Sequence, residues 1–286
     1  MIVGLGALGA TARLRLEKPI QAPGWLAVGI ALALLILPLA SFAAWRAPQP
    51  TAGKGFPVRV MTYNLHQGFD TAGWLGMEAL AQQIEQQRPD VVALNEISRG
   101  WYIDGSVDML TWLSQRLGMP YIFGPAADSV WGSAILSRYP IKEHGVGQLP
   151  RGGTQNRGYL WARVDVGGGQ ELLVVATHLH QWETDHDIHV REVNALLDFW
   201  AKRPGTIVVG DLNSWPDSPE MALFRAAGFL DSFAELGKGD GFTWPSYAPF
   251  ERIDYIWHTP DLKVSDYANT QGTATDHLGI AVTLTR

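Results

Sequence analysis

The residues able to do chemistry stand where apolar runs stop. "TIVVGDLN" (206 to 213) is a β-branched, buried-strand run that places Asp211 and Asn213 at its mouth. The pattern recurs. Asn64 closes "VRVMTYN", Glu96 closes "DVVALNE", His178 follows "VVAT", Asp254 lies inside "RIDYIWH", and Asp276 and His277 precede "GIAVTLT". The chain has no cysteine, which excludes a thiolate metal site and a cysteine nucleophile, so any metal must sit on oxygen or imidazole. Singly, each group has an ordinary reading: an Asn after a strand is a turn residue, "DLN" caps a following helix, and a loop Glu or His is solvated or hydrogen-bonded. Together they point to one cleft, because ligands of α/β sheets bind in the crevice beyond the strand ends.

The elements that must position these groups alternate. Strand-like runs occupy 58–64, 90–96, 132–138, 159–166, 171–178, 252–258 and 279–285, with another opening at 206. Helical periodicity covers 74–87, where Trp74, Met77, Leu80, Ala81 and Ile84 share one face, then 107–118, closed by Gly118, and 186–202. The runs at 159–166 and 171–178 form a direct hairpin through a glycine-rich turn, so the sheets cannot be all parallel. The expected class is α/β (α+β), with mixed β-sheets packed face to face and flanked by helices.

The chain's 286 residues, 47% hydrophobic and 17% charged, suit one large domain with an appendage. The appendage is "WLAVGIALALLILPLASFAAW" (25–45), an uncharged stretch long enough to span a bilayer as a helix and bracketed by tryptophans. Arg13, Arg15 and Lys18 precede it and only Arg46 follows closely, so the expected arrangement is a single-pass membrane protein with residues 1–24 cytoplasmic and the remainder extracytoplasmic. A cleaved signal peptide is the rival reading, disfavoured by the length and late start of the span. Residues 46–57, rich in Pro and Gly, read as a linker, and the catalytic candidate is 58–286. Of 22 basic and 28 acidic residues, those beyond Arg46 leave 18 against 27, a balance without the basic footprint of a general nucleic-acid binder.

The ordered motifs "TYNLH", "LNE", "WGSAILSRYP", "THL", "GDLN", "RIDYIW" and "TDH" resemble the endonuclease/exonuclease/phosphatase superfamily, which includes apurinic endonucleases, deoxyribonuclease I, sphingomyelinases and inositol polyphosphate phosphatases. The resemblance implies a four-layer sandwich with two mixed sheets between helices. It further implies that Glu96 binds a divalent metal with help from Asn64, and that Asp211 orients and deprotonates the attacking water with Asn213 beside it. His277, oriented by Asp254, would stabilise phosphoryl oxygens; Asp276 would support the metal or the histidine, and His178 would contact the scissile phosphate. "YNLHQGFDTAGW", the stretch from 108 to 141 and the apolar span are similar to the C-terminal domain of membrane proteins that remodel glycosylphosphatidylinositol (GPI) anchors. His66 stands where apurinic endonucleases carry an aspartate.

The chemistry agrees. Phosphodiester hydrolysis needs a hard cation to neutralise anionic oxygens, a positioned base for water and a donor for developing charge. Carboxylate and carbonyl oxygens suit Mg²⁺, and also Mn²⁺ or Ca²⁺. The expected function is metal-dependent phosphodiester hydrolysis by direct attack of water, on a lipid or lipid-linked head group. The alternatives are a nuclease acting on DNA or RNA, and a non-catalytic lipid-binding or lipid-remodelling module. Arg157 is a candidate phosphate ligand. Trp244, in the aromatic stretch 242–255, is a candidate substrate-facing rim residue. His180, His186 and His189 would suit zinc, but no acid at a fixed spacing completes a ligand set, so no zinc site is expected.

Overall fold

The computed structural model describes residues 24–152, 155–181 and 186–286. The expected cytoplasmic segment lies, but for its last residue, outside the described residues. Two compact units divide between Ala47 and Pro48. In the first, helix α1 (Gly24–Ala44) includes an 18-residue window of mean hydropathy 2.2, long and apolar enough to cross a membrane.

The second unit is a four-layer sandwich, as its periodicities require. One sheet runs in the order β11 (Lys263–Asn269), β12 (Ile280–Thr285), β1 (Val58–Asn64), β2 (Val91–Ser98), β4 (Trp131–Ser137), β3 (Tyr121–Asp128). The other runs β5 (Ile141–Gln148), β6 (Gly158–Gly167), β7 (Gln170–His178), β8 (Thr206–Asp211), β10 (Asp254–His258), β9 (Leu230–Asp231). Each sheet has one parallel pair at its centre, β1 with β2 and β7 with β8, and antiparallel neighbours outside it.

Alternation along the strands separates the layers. Val58 and Val60 of β1 join Ala162, Val174, Val209 and Ile256 between the sheets, while Met61 and Tyr63 turn outward. The outward face of the first sheet packs on α2 (Met77–Gln87) and α3 (Met109–Leu117) through Leu80, Ile84, Leu110 and Leu113. The outward face of the second packs on α4 (His186–Trp200) and α5 (Pro219–Ala226) through Val193, Leu196, Met221 and Phe224. A short helix, α6 (Ser232–Leu236), follows β9. Helix α3 is capped by Asp108, whose side chain accepts from the Thr111 amide, and closes on left-handed Gly118.

Two expectations need correction. Trp74 does not share the buried face of α2; the helix begins at Met77 and Trp74 is 74% exposed, because the next residue, Leu75, bridges back to Phe69. Residues 51–56 are not a free tether. The Thr51 and Gly55 amides donate to the carbonyls of Arg138 and Val166, and Phe56 packs against the inter-sheet core.

Candidate active site

The central parallel pairs bring four strand ends together. In register, Asn64 lies opposite Asn95, and Asp211 lies opposite both His178 and Asp254. β2 breaks register with β4 between Leu94 and Ile97, and Glu96 there takes φ of 55°. Such a bulge re-aims a side chain: Glu96, half-buried, leaves the ladder and turns to the cleft. Gly210 lets the neighbouring strand β7 and the Asn95 side chain of the facing sheet approach closely. Its φ is 139°, and a Cβ there would meet the Thr177 carbonyl oxygen at 1.9 Å.

Asn64 Nδ2 donates to Asp211 Oδ2 at 3.0 Å and to Glu96 Oε1 at 3.4 Å, so one amide spans both acids, while its Oδ1 accepts from the His66 amide. Asn213 donates its backbone N–H to Asp211 Oδ1 and its side-chain amide to the Leu179 carbonyl, holding the turn after β8. Asp211 is 2% exposed, and its carboxyl is pushed up from the usual range by burial, with Asp254 adding to the rise; the His277 charge and the amides of Asn213 and Asn64 oppose it.

His277 is pushed up to about 10. Burial works against its charge, but Asp254, which accepts from Nδ1 at 2.9 Å, and Asp211, 3.7 Å from Nε2, outweigh it. The two carboxylates thus favour the imidazolium form of His277. His178 is the opposite case, pushed well down by burial and by the charges of Arg157 and His277. Arg157 Nη1 lies 3.1 Å from His178 Nδ1. A guanidinium can only donate, so Nδ1 accepts and the ring proton sits on Nε2, which faces Asp211 Oδ2 at 3.5 Å. Arg157 is itself buried, with its guanidinium over the Trp131 ring at 5.6 Å.

All ten residues singled out in the sequence gather here. Glu96, Arg157, His178, Asp211, Asn213, Trp244, Asp276 and His277 line a cleft of roughly 370 Å³, with Asn64 and Asp254 bonded directly behind it. Trp244 Nε1 donates to Asp276 Oδ2 at 3.4 Å, which links the rim to the strand-end acids. Other neighbours complete the cleft, among them His66, which the sequence marked only as a departure from the apurinic endonucleases. Gln67 donates to Glu96, His66 Nδ1 lies 3.7 Å from Asp276 Oδ1, and Trp101 stacks on Trp131 at the cleft wall. Asn95 is buried between the sheets, donating to the Thr177 carbonyl and accepting from the Asp211 amide, both at 3.0 Å. An amide inside the apolar run "VVALNE" was the available signal for it.

The family profile of the Endonuclease/Exonuclease/phosphatase family matches residues 61–277, from inside β1 to His277. The chain belongs to that family. The uncharacterised protein YbhP of Escherichia coli K12 is 25% identical over 225 residues, 73% of this chain and 87% of YbhP. Protein cwh43 of Schizosaccharomyces pombe is 27% identical over 197 residues, covering 68% of this chain and 20% of the yeast protein. The crystal structure of an endonuclease/exonuclease/phosphatase from Beutenbergia cavernae shares the fold, with a TM-score of 0.65 at 24% identity, over 79% of this chain and 71% of that one.

The donor set fits the divalent metal that serves this family. Glu96, Asp211, Asp254 and Asp276 bring four carboxylates to one cleft. Asp254 Oδ1 and His66 Nδ1 are shut off from solvent without a hydrogen-bond partner. The ligating atoms of Asp211, Asp254 and His277 lie within 4.8 Å of one another, but an imidazolium that donates to Asp254 has no lone pair for a metal. That trio is a proton-bearing network, and Glu96 and Asp276 are the remaining cleft acids that could hold a cation.

Proposed function

We propose that the protein is a membrane-anchored, divalent-metal-dependent phosphodiesterase that hydrolyses a lipid or lipid-linked phosphoester by direct attack of water. The observation that carries the reading is the Asn64 amide, within hydrogen-bond reach of both Glu96 and Asp211, which puts a metal acid and a base in one pocket. Glu96 and Asp276, with Asn64, would hold Mg²⁺, or Mn²⁺ or Ca²⁺; the chemistry such an ion supplies is neutralisation of the phosphoryl oxygens.

The chain's own groups account for the remaining demands. Asp211, raised by burial toward neutral pH, accepts a proton from water while the water oxygen bonds to phosphorus and the bond to the leaving oxygen breaks. His277, charged and fixed by Asp254, donates from Nε2 to the oxygens that gain charge. His178, neutral with its proton on Nε2, adds a second donor, and Arg157 holds it in that tautomer. Asn213 fixes the Asp211 rotamer.

The lipid-linked substrate is supported by α1 and by the sequence resemblance to GPI-anchor remodelling domains. Tethering concentrates the site where such lipids lie. The domain reading that accompanies it is a cytoplasmic 1–24, a spanning 25–45, and an extracytoplasmic catalytic domain from 58.

The full-length protein, in detergent with Mg²⁺, is expected to hydrolyse bis-p-nitrophenyl phosphate and to stop with EDTA. It is expected to favour phosphatidylinositol or sphingomyelin over plasmid DNA in parallel assays. A preference for DNA would instead establish a nuclease, and no turnover on any phosphoester would establish a binding module.

A further inference from the structure

We propose that His186, His189 and Glu220 form a second divalent-metal site, suited to Zn²⁺, that joins α4 to α5 outside the cleft. The two histidines are three residues apart at the start of α4 and share a face one turn apart. Glu220, in the first turn of α5, meets them: His186 Nδ1 is 3.4 Å from Glu220 Oε2, and His189 Nδ1 is 3.7 Å from Oε1. The three ligand atoms lie within 4.8 Å of one another. Ligands about 2.0–2.1 Å from a tetrahedral zinc stand roughly 3.3–3.5 Å apart, close to the spacing already present.

The hydrogen bonding around His189 argues for the cation. Its Nε2 donates to the His180 carbonyl, which fixes the ring and turns Nδ1 toward Glu220. His189 is 0% and Glu220 1% exposed, and His189 Nδ1 and Glu220 Oε2 are both sealed from solvent without a hydrogen bond. His189 Nδ1 stands 3.7 Å from Glu220 Oε1, beyond hydrogen-bond reach, so the two buried groups face each other without a direct bond between them. A shared metal ion satisfies both. Two imidazoles and one carboxylate favour zinc over the harder magnesium, and exposed His186 supplies an entry path from solvent. The sequence carried the two histidines but no third ligand, because the acid comes from a different helix.

Bound there, the ion would also steady the chain after β7. His189 holds the His180 carbonyl, and Glu192 accepts from the His180 amide, so α4 grips this residue, two places past His178, from both sides.

The test uses the full-length protein, stripped of metal, with Zn²⁺ alone as probe and Co²⁺ as its spectroscopic substitute. Wild type is expected to bind one Zn²⁺ that excess Mg²⁺ does not displace, to gain thermal stability from it, and to give the intense visible absorption of tetrahedral Co²⁺. His186→Ala, at an exposed position, should fold normally and keep its Mg²⁺-dependent hydrolysis of bis-p-nitrophenyl phosphate. It should lose at least about tenfold in Zn²⁺ affinity along with the Co²⁺ absorption, and Glu220→Gln should lose both as well. Equal Zn²⁺ affinity in wild type and His186→Ala, or zinc binding abolished by Glu96→Ala and kept by His186→Ala, would overturn the proposal. Neither result depends on whether the cleft hydrolyses phosphoesters.

Discussion

Asn95 belongs to one sheet and Asp211 to the other, and the two are bonded directly: the Asn95 side-chain oxygen accepts from the Asp211 backbone amide at 3.0 Å. The same carboxamide donates to the Thr177 carbonyl beside it. A single buried side chain thus registers the two sheets at the height of the reactive groups. Asn64 adds a second tie, from its side-chain amide to the Asp211 carboxylate.

Asn95→Ala should therefore cost both stability and turnover. It leaves the Asp211 N–H and one Thr177 acceptor position unpaired in a dry layer, a loss of about 3 kcal/mol. Urea denaturation measures that loss. In steady-state assays kcat should fall while KM changes little, because no substrate contact is removed.

Asp211→Ala should lower kcat on bis-p-nitrophenyl phosphate by about 10² to 10⁴, the usual contribution of a positioned general base. KM should stay within a few fold. Full activity in this variant would refute the assigned base.

Arg157→Lys keeps a charge but loses the planar donor that fixes His178 and covers Trp131. A fall of about 10-fold to 100-fold in kcat/KM is expected, with kcat contributing because His178 loses its tautomer. A change confined to KM would mean that Arg157 only holds phosphate.

Glu192 supplies a pH-linked stability change. It is 1% exposed, and burial pushes its carboxyl up to about 7 against the opposing pull of the His180 amide, Arg157 and Arg191. A carboxyl raised on folding binds its proton more tightly in the native state. Its contribution is full below the unfolded value of 4.5 and is lost as pH rises toward about 7. The loss is about 3 kcal/mol at most. Glu192→Gln should flatten the fall in stability between those pH values, as followed by thermal unfolding in a pH series.

The sequence showed the centre of the molecule and hid its borders. The strands legible from their apolar runs are the inner ones, together covering both central parallel pairs. The four that escaped, β3, β5, β9 and β11, are the four sheet edges. Edge strands bury little and carry charge, glycine or proline, as in "IKEHGVGQ" and "KVSDYAN", so they lack the signal that periodicity detects. The candidate site was legible for the same reason in reverse. Its residues interrupt buried runs, where an acid or imidazole is conspicuous, whereas Gln67 and His66 lie in a loop with no apolar background. Asn95 was hidden inside a strand, because sequence does not say which sheet faces which. Glu220 escaped because its two histidine neighbours belong to another helix.

Gly210 carries one more implication. A Cβ on Gly210 would meet the side-chain oxygen of Asn95, which reaches over from the facing sheet, at 2.9 Å, so the halves of the sandwich meet here at a distance that substitutions elsewhere in the inter-sheet layer must respect. Enlarging Val209 or Ala176 would pry the two walls apart at their hinge of contact and lengthen every cross-wall approach to Asp211. Such variants would stay folded yet turn over slowly, so damage to this protein's oily middle would be mistaken in an activity screen for damage to its reactive groups.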